Sequence, residues 1–116
     1  QCRGNRTAGI VYRRASGGIA VGNTCTGGAI AGIWIGEGAC PELECNRCEA
    51  NGTGLSYTEF GAGSARGNTC AANSLFGISV SVLASPVLEV NDLSGNVLGT
   101  IVDHRMPDSG VLIVPN

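Results

Sequence analysis

The sequence predicts an α+β fold: a single-domain αβ sandwich in which two short helices cover an antiparallel sheet of about five strands, cross-linked by three disulfides. Three observations carry this expectation. Residues 87–104, VLEVNDLSGNVLGTIVDH, set the apolar run Val87, Leu88 and Val90 and the run Val97, Leu98, Ile101 and Val102 on either side of the turn formers Asn91, Asp92, Ser94, Gly95 and Asn96. That pattern writes a β-hairpin, the centre of the sheet. Residues 26–35 and 71–83 are small-residue apolar stretches suited to covering its apolar face. Six cysteines in a short chain suggest a disulfide framework.

Residues 8–14, AGIVYRR, read as a strand with Ile10, Tyr12 and Arg14 on one face and Val11 and Arg13 on the other. Ser16-Gly17-Gly18 turns it, and residues 19–21 form a partner too short to assign firmly. Gly22-Asn23-Thr24-Cys25 recurs as Gly67-Asn68-Thr69-Cys70. Each copy precedes one of the apolar stretches, so the pair reads as two similar loop-to-helix entries in which Asn or Thr caps the helix. The first stretch is apolar all round and therefore buried. The second places Ala71, Leu75, Ile78 and Val82 on one helical face, while Ile78, Val80 and Val82 also alternate with serines as in a strand. Residues 40–54 are polar and turn-rich, a loop; residues 55–60, LSYTEF, alternate as a strand; residues 61–67 connect. A turn through Met106-Pro107-Asp108 leads to a last strand at residues 111–114.

The chain of 116 residues is one domain, residues 1–116, large enough to bury roughly two-thirds of its unfolded surface. Seven arginines, no lysine and nine acids leave a net charge of −2, which argues against a basic nucleic-acid-binding patch. No apolar run approaches the length of a spanning helix, so membrane insertion is not expected. The chain begins at Gln1 and not at Met, which suggests a removed signal peptide, secretion, and cyclisation of Gln1 to pyroglutamate. The glycosylation sequons Asn5-Arg6-Thr7 and Asn51-Gly52-Thr53 agree with secretion.

Cys40, Cys45 and Cys48 form the densest cysteine cluster. A zinc ribbon needs a second C-x-x-C pair, and a redox pair needs a βαβ setting. Both are missing, so no metal and no cofactor are expected. The cluster instead predicts disulfides from this loop to Cys2, Cys25 and Cys70, with the connectivity open. Tyr12, Tyr57 and Trp34 are the aromatics available to stack on a sugar, and Asp103-His104-Arg105 supplies planar polar groups at a sheet edge. The candidate ligand-binding residues are therefore Tyr12, Tyr57, Asp103, His104 and Arg105, with Trp34 assigned to the edge of the core.

Three resemblances bear on function. Tyr57-Thr58-Glu59-Phe60, a hairpin, Val102-Asp103-His104 and then Ser109-Gly110 resemble the second half of the small fungal guanyl-specific ribonucleases. The likeness implies a base at Glu59 and an acid at His104, but Glu89 stands where that family has an arginine, and no second histidine exists. As a secreted, lysine-free, six-cysteine chain of α+β pattern, the protein is similar to the small glycan-binding proteins of mushrooms, the shaggy ink cap lectin type, which pair through their sheets. It is also similar to the small cysteine-rich effectors and killer toxins of fungi. The expected function is extracellular glycan binding, without catalysis, by a possible homodimer; a ribonuclease-like hydrolase using Glu59 and His104, or an effector or toxin, is the alternative.

Overall fold

The computed structural model describes residues 2–4, 6–14, 16–103 and 113–114. The first coil of chain carries β1 (Cys2–Arg3), β2 (Ala8–Tyr12) and β3 (Ile19–Val21), and the second carries β4 (Thr24–Thr26), β5 (Ala31–Ile35) and β6 (Glu42–Glu44). The third carries β7 (Arg47–Glu49), β8 (Thr53–Tyr57) and β9 (Ser64–Arg66). The fourth carries β10 (Thr69–Ala71), β11 (Phe76–Val80) and β12 (Val87–Glu89), and β13 (Gly99–Asp103) and β14 (Ile113–Val114) add a further rung. Every pairing is parallel and joins a strand to its counterpart one coil away, in the sheet orders β1-β4-β7-β10, β2-β5-β8-β11-β13 and β3-β6-β9-β12-β14. The fold is a parallel β-solenoid of about four coils.

This overturns the α+β sandwich. Among the described residues there is no helix; the two stretches assigned to helices instead run through β4 and β5, and through β10 and β11. The hairpin is not formed either, because β12 pairs with β9 and β14 while β13 pairs with β11. Its turn formers bend the chain from one sheet to the next. Asn91 and Asn96 point their amides along the stack, so their polar groups serve coil-to-coil bonding and not a hairpin turn.

Each position meets its equivalent 22 or 23 residues on, except that β14 follows β12 by 25, so the interior is built of rows. Ile10, Ile33, Leu55, Ile78 and Ile101 form one row on the sheet of long strands. Ala20, Leu43, Ala65 and Leu88 form another on the sheet of β3, β6, β9 and β12. Ile33, Leu55, Ile78 and Leu43 are fully buried. Each contributes roughly 1.5–3 kcal/mol through burial, and in-register stacking lets a short, aromatic-poor chain hold a continuous core.

Two asparagine rows hold the corners. In the first, the Asn46 side-chain oxygen accepts from the Asn23 backbone N–H at 2.9 Å and side-chain amide at 3.1 Å, while the Asn46 amide nitrogen donates to the Ala20 carbonyl at 2.8 Å and to Asn68 at 3.0 Å. Asn68 and Asn91 continue the pattern. In the second, Asn51, Asn73 and Asn96 donate to the carbonyls of Cys25, Cys48 and Cys70. Buried backbone groups at the bends, where sheet pairing is interrupted, thereby find partners. The residue before the first row, Gly22, Cys45, Gly67 or Val90, takes φ between 51° and 68°. Glycine enters that region freely, whereas a β-branched valine there is strained. Because Asn51 is buried and its amide nitrogen is bonded to Cys25, the sequon Asn51-Gly52-Thr53 is closed to glycosylation in the folded chain; Asn5 lies outside the described residues.

The predicted disulfides are absent: all six cysteines are free thiols. Cys2, Cys25, Cys48 and Cys70 are in-register neighbours in a single interior row. Parallel strands sit about 4.8 Å apart, whereas a disulfide draws its β-carbons to about 3.5–4.5 Å. Regular stacking therefore favours thiols. Cys48 is also sandwiched inside this row and cannot bridge away from it. Each thiol hydrogen-bonds to the next: the bond to Cys48, together with burial, pushes the Cys25 thiol up, and burial raises Cys2. Cys40 and Cys45 are exposed. A thiol reagent at neutral pH should therefore find two fast thiols, a slower one at the half-buried Cys2, and three more, Cys25, Cys48 and Cys70, only after unfolding. Six simultaneous reactions, or none, would contradict the row.

Candidate functional site

Alternation in β5 sends Ile33 and Ile35 inward and leaves Trp34 on the outer face, half-buried. Across the sheet Trp34 is in register with Val11 and Ser56, and the row continues through Ser79 to Val102. Trp34 is the one ring in it. The position of the indole follows from Gly36, where an added β-carbon would stand 2.6 Å from the ring atom Cη2 and 2.3 Å from the Thr58 hydroxyl. The ring is thus laid across a residue that has no side chain.

Thr7, Ala8, Val11, Arg13, Ile30 and Trp34 line a cleft of about 310 Å³ on this face. Ile30 reaches its rim because the second coil has one more residue at this corner than the third. The N–H groups of both Ile30 and Ala31 donate to the Thr7 carbonyl, at 2.9 and 3.1 Å, the local mark of that extra residue. At the far side Arg13 Nε donates to Glu37 Oε2 at 2.7 Å. An exposed pair of this kind adds little stability, but it orients a guanidinium and a carboxylate beside the indole. The cleft therefore offers a flat apolar ring, a planar cation and a threonine hydroxyl on a sheet hydrogen-bonded through every coil, with the Glu37 carboxylate holding that cation from outside its lining.

A second concavity, about 390 Å³, runs over Gly27, Ala29, Gly52 and Ser74 to Val97. It presents small residues, with neither ring nor charge among its lining. Among the described residues no group of three His, Cys, Asp or Glu side chains is placed to hold a metal.

Of the residues proposed from sequence, the described ones, Tyr12, Tyr57 and Asp103, do not converge. Tyr57 is fully buried, its hydroxyl has no hydrogen-bond partner among the described residues, and burial pushes the phenol up, so it cannot stack on a ligand. Tyr12 is half-buried at the start of the inward row that continues through Ile35 and Tyr57 to Val80. Asp103 lies on β13, four strands from Tyr12 in the same sheet, or roughly 19 Å by ordinary strand spacing. His104 and Arg105 lie outside the described residues. Glu59 is exposed just beyond β8. Trp34, assigned from sequence to the core edge, and Arg13, not singled out, are the residues the fold brings together. The signal for Trp34 was the alternation in Ile33-Trp34-Ile35. For Arg13 and Glu37 no signal existed without the coil length.

Neither a family model, a curated protein nor a solved structure matches this chain.

Proposed function

We propose that this protein is a glycan-binding module, acting without catalysis, whose site is the cleft of Thr7, Arg13, Ile30 and Trp34. The observation that carries the reading is the outward indole of Trp34 beside the Arg13–Glu37 pair. A pyranose presents a C–H face that packs on an aromatic ring and a rim of hydroxyls that bond to planar charged groups. Both features meet here on one rigid face. Nothing in the described residues favours the hydrolase reading, which needs Glu59 beside His104.

A glycan array followed by titration calorimetry on the best hit tests the proposal. Trp34→Ala should weaken binding on the order of tenfold to a hundredfold, the loss of a stacked ring. Tyr57→Phe, which changes only a buried hydroxyl, should leave affinity unchanged. Equal binding by wild type and Trp34→Ala, or no glycan bound at millimolar concentration, would refute it.

A further inference from the structure

The Trp34 cleft carries more than a neutral sugar requires. Its one charged lining residue is Arg13, whose side chain is half exposed. Glu37 accepts from the Arg13 Nε–H, at 2.7 Å, and neither terminal nitrogen of the guanidinium has a hydrogen-bond partner among the described residues. A guanidinium has five N–H donors, so four are left to a ligand. The terminal nitrogens form the fork that grips two oxygens of a carboxylate or a sulfate at once. Glu37 thus fixes the fork without filling it.

The surrounding charge has the same sign. Arg6 is the chain neighbour of Thr7 at one margin of the cleft, and Arg14 is the neighbour of Arg13 at the other. Both are exposed, and neither has an ion-pair partner among the described residues. Three arginines against Glu37 favour an anion here, although the whole chain carries −2. Glu59, the next acid, follows Glu37 one coil on, beyond the two coils that line the cleft. Val11 is in register with Trp34, and Arg13 lies two residues beyond Val11, so the α-carbons of Arg13 and Trp34 are roughly 8 Å apart by ordinary strand geometry. A pyranose whose C–H face covers the indole holds its equatorial substituents in the plane of its ring, where an acidic one extends sideways toward Arg13. We infer that the cleft selects anionic glycans, those whose sugar bears a carboxylate or a sulfate, with Trp34 taking the ring and Arg13 the charge. This rests on the glycan-binding reading above and adds the class of sugar.

A glycan array carrying carboxylated, sulfated and neutral sugars ranks the classes, and calorimetry then compares the best acidic hit with its own methyl ester or desulfated form. The acidic form should bind about tenfold tighter or more, the gain of a charge-assisted fork. Arg13→Gln should erase that difference and leave the neutral form within about twofold of wild type. Glu37→Gln keeps an acceptor for Nε but removes a negative charge, so it should tighten the acidic ligand about threefold. Trp34→Ala should weaken both forms. Circular dichroism matching wild type confirms that each variant is folded. Equal affinity for the two forms, both lost in Trp34→Ala, would overturn this inference and leave the glycan-binding reading standing. An acid preference that survives Arg13→Gln would also overturn it. So would acid binding that survives Trp34→Ala and vanishes in about 500 mM salt, the mark of general charge attraction. Failure of every form to bind at millimolar concentration would remove both this inference and the reading beneath it.

Discussion

Asn68→Ala is expected to destabilise the protein by about 3–5 kcal/mol, a large part of the 5–15 kcal/mol by which a typical domain is stable. The side chain is buried in the middle of its row. Its oxygen accepts from the backbone N–H of Asn46 at 2.9 Å and from the Asn46 side-chain amide at 3.0 Å, and its nitrogen donates to the Leu43 carbonyl at 2.9 Å and to Asn91 at 3.0 Å. Truncation leaves donors and an acceptor of the second coil unsatisfied in a dry corner, each costing roughly 1–3 kcal/mol. Asn23 begins the same row, is only half-buried, and among the described residues its amide bonds to Asn46 at 3.1 Å and, within its own coil, to the Val21 carbonyl at 3.4 Å. Asn23→Ala should cost about 1 kcal/mol. Urea unfolding of both variants measures the contrast. Equal, small losses would mean that the asparagine rows decorate the corners without holding them.

Gly54→Ala is expected to cost on the order of 3 kcal/mol or to prevent folding, although it adds a single methyl. A β-carbon at Gly54 would stand 2.6 Å from the Gly77 carbonyl oxygen, 2.7 Å from the Cys70 β-carbon and 3.0 Å from its sulfur. Backbone cannot yield as a flexible side-chain tip can. The same crowding recurs one coil earlier, where a β-carbon on Gly32 would meet Cys48 at 2.9 Å, and earlier still, where one on Gly9 would meet Cys2 at 2.8 Å. The glycine row thus faces the cysteine row, and the pairing of no side chain with a small one lets two sheets approach closely. Gly17→Ala is the control, since its nearest neighbour would be 3.9 Å away. A thermal melt should show the first variant far below wild type and the second within a degree or two. A Gly54→Ala melt indistinguishable from wild type would show that the sheets are farther apart than described here.

What the sequence disclosed was local. The first five residues of the strand expected at 8–14 appear as β2, with Ile10 and Tyr12 inward and Val11 outward as their alternation implied. Arg14, expected on the inward face, is instead exposed in a turn beyond the strand at φ 54°. The alternating serines after Ile78 were a strand signal as well, and β11 obeys it. The repeat was in view but its period was not. Gly22-Asn23-Thr24-Cys25 and Gly67-Asn68-Thr69-Cys70 lie two coils apart, and the copy midway, Cys45-Asn46-Arg47-Cys48, keeps only the asparagine and the second cysteine. Those two positions are the ones whose side chains face the stack; the others tolerate change because they face solvent. The third coil is also one residue short between Asn51 and Thr53, which breaks strict periodicity. Short strands of three residues carry too few alternations to outweigh the hairpin pattern at residues 87–104. Only the neighbouring coil explains why Asn91 and Asn96 are there.

Proton–proton contacts in solution test the solenoid most directly. Parallel stacking predicts nuclear Overhauser effects between residues whose numbers differ by a constant 22 or 23, linking Cys25 with Cys48 and Cys48 with Cys70, and Ile33 with Leu55 and Leu55 with Ile78. An antiparallel sheet gives contacts whose residue numbers share a constant sum, and such a ladder between residues 87–90 and 97–102 would contradict the account.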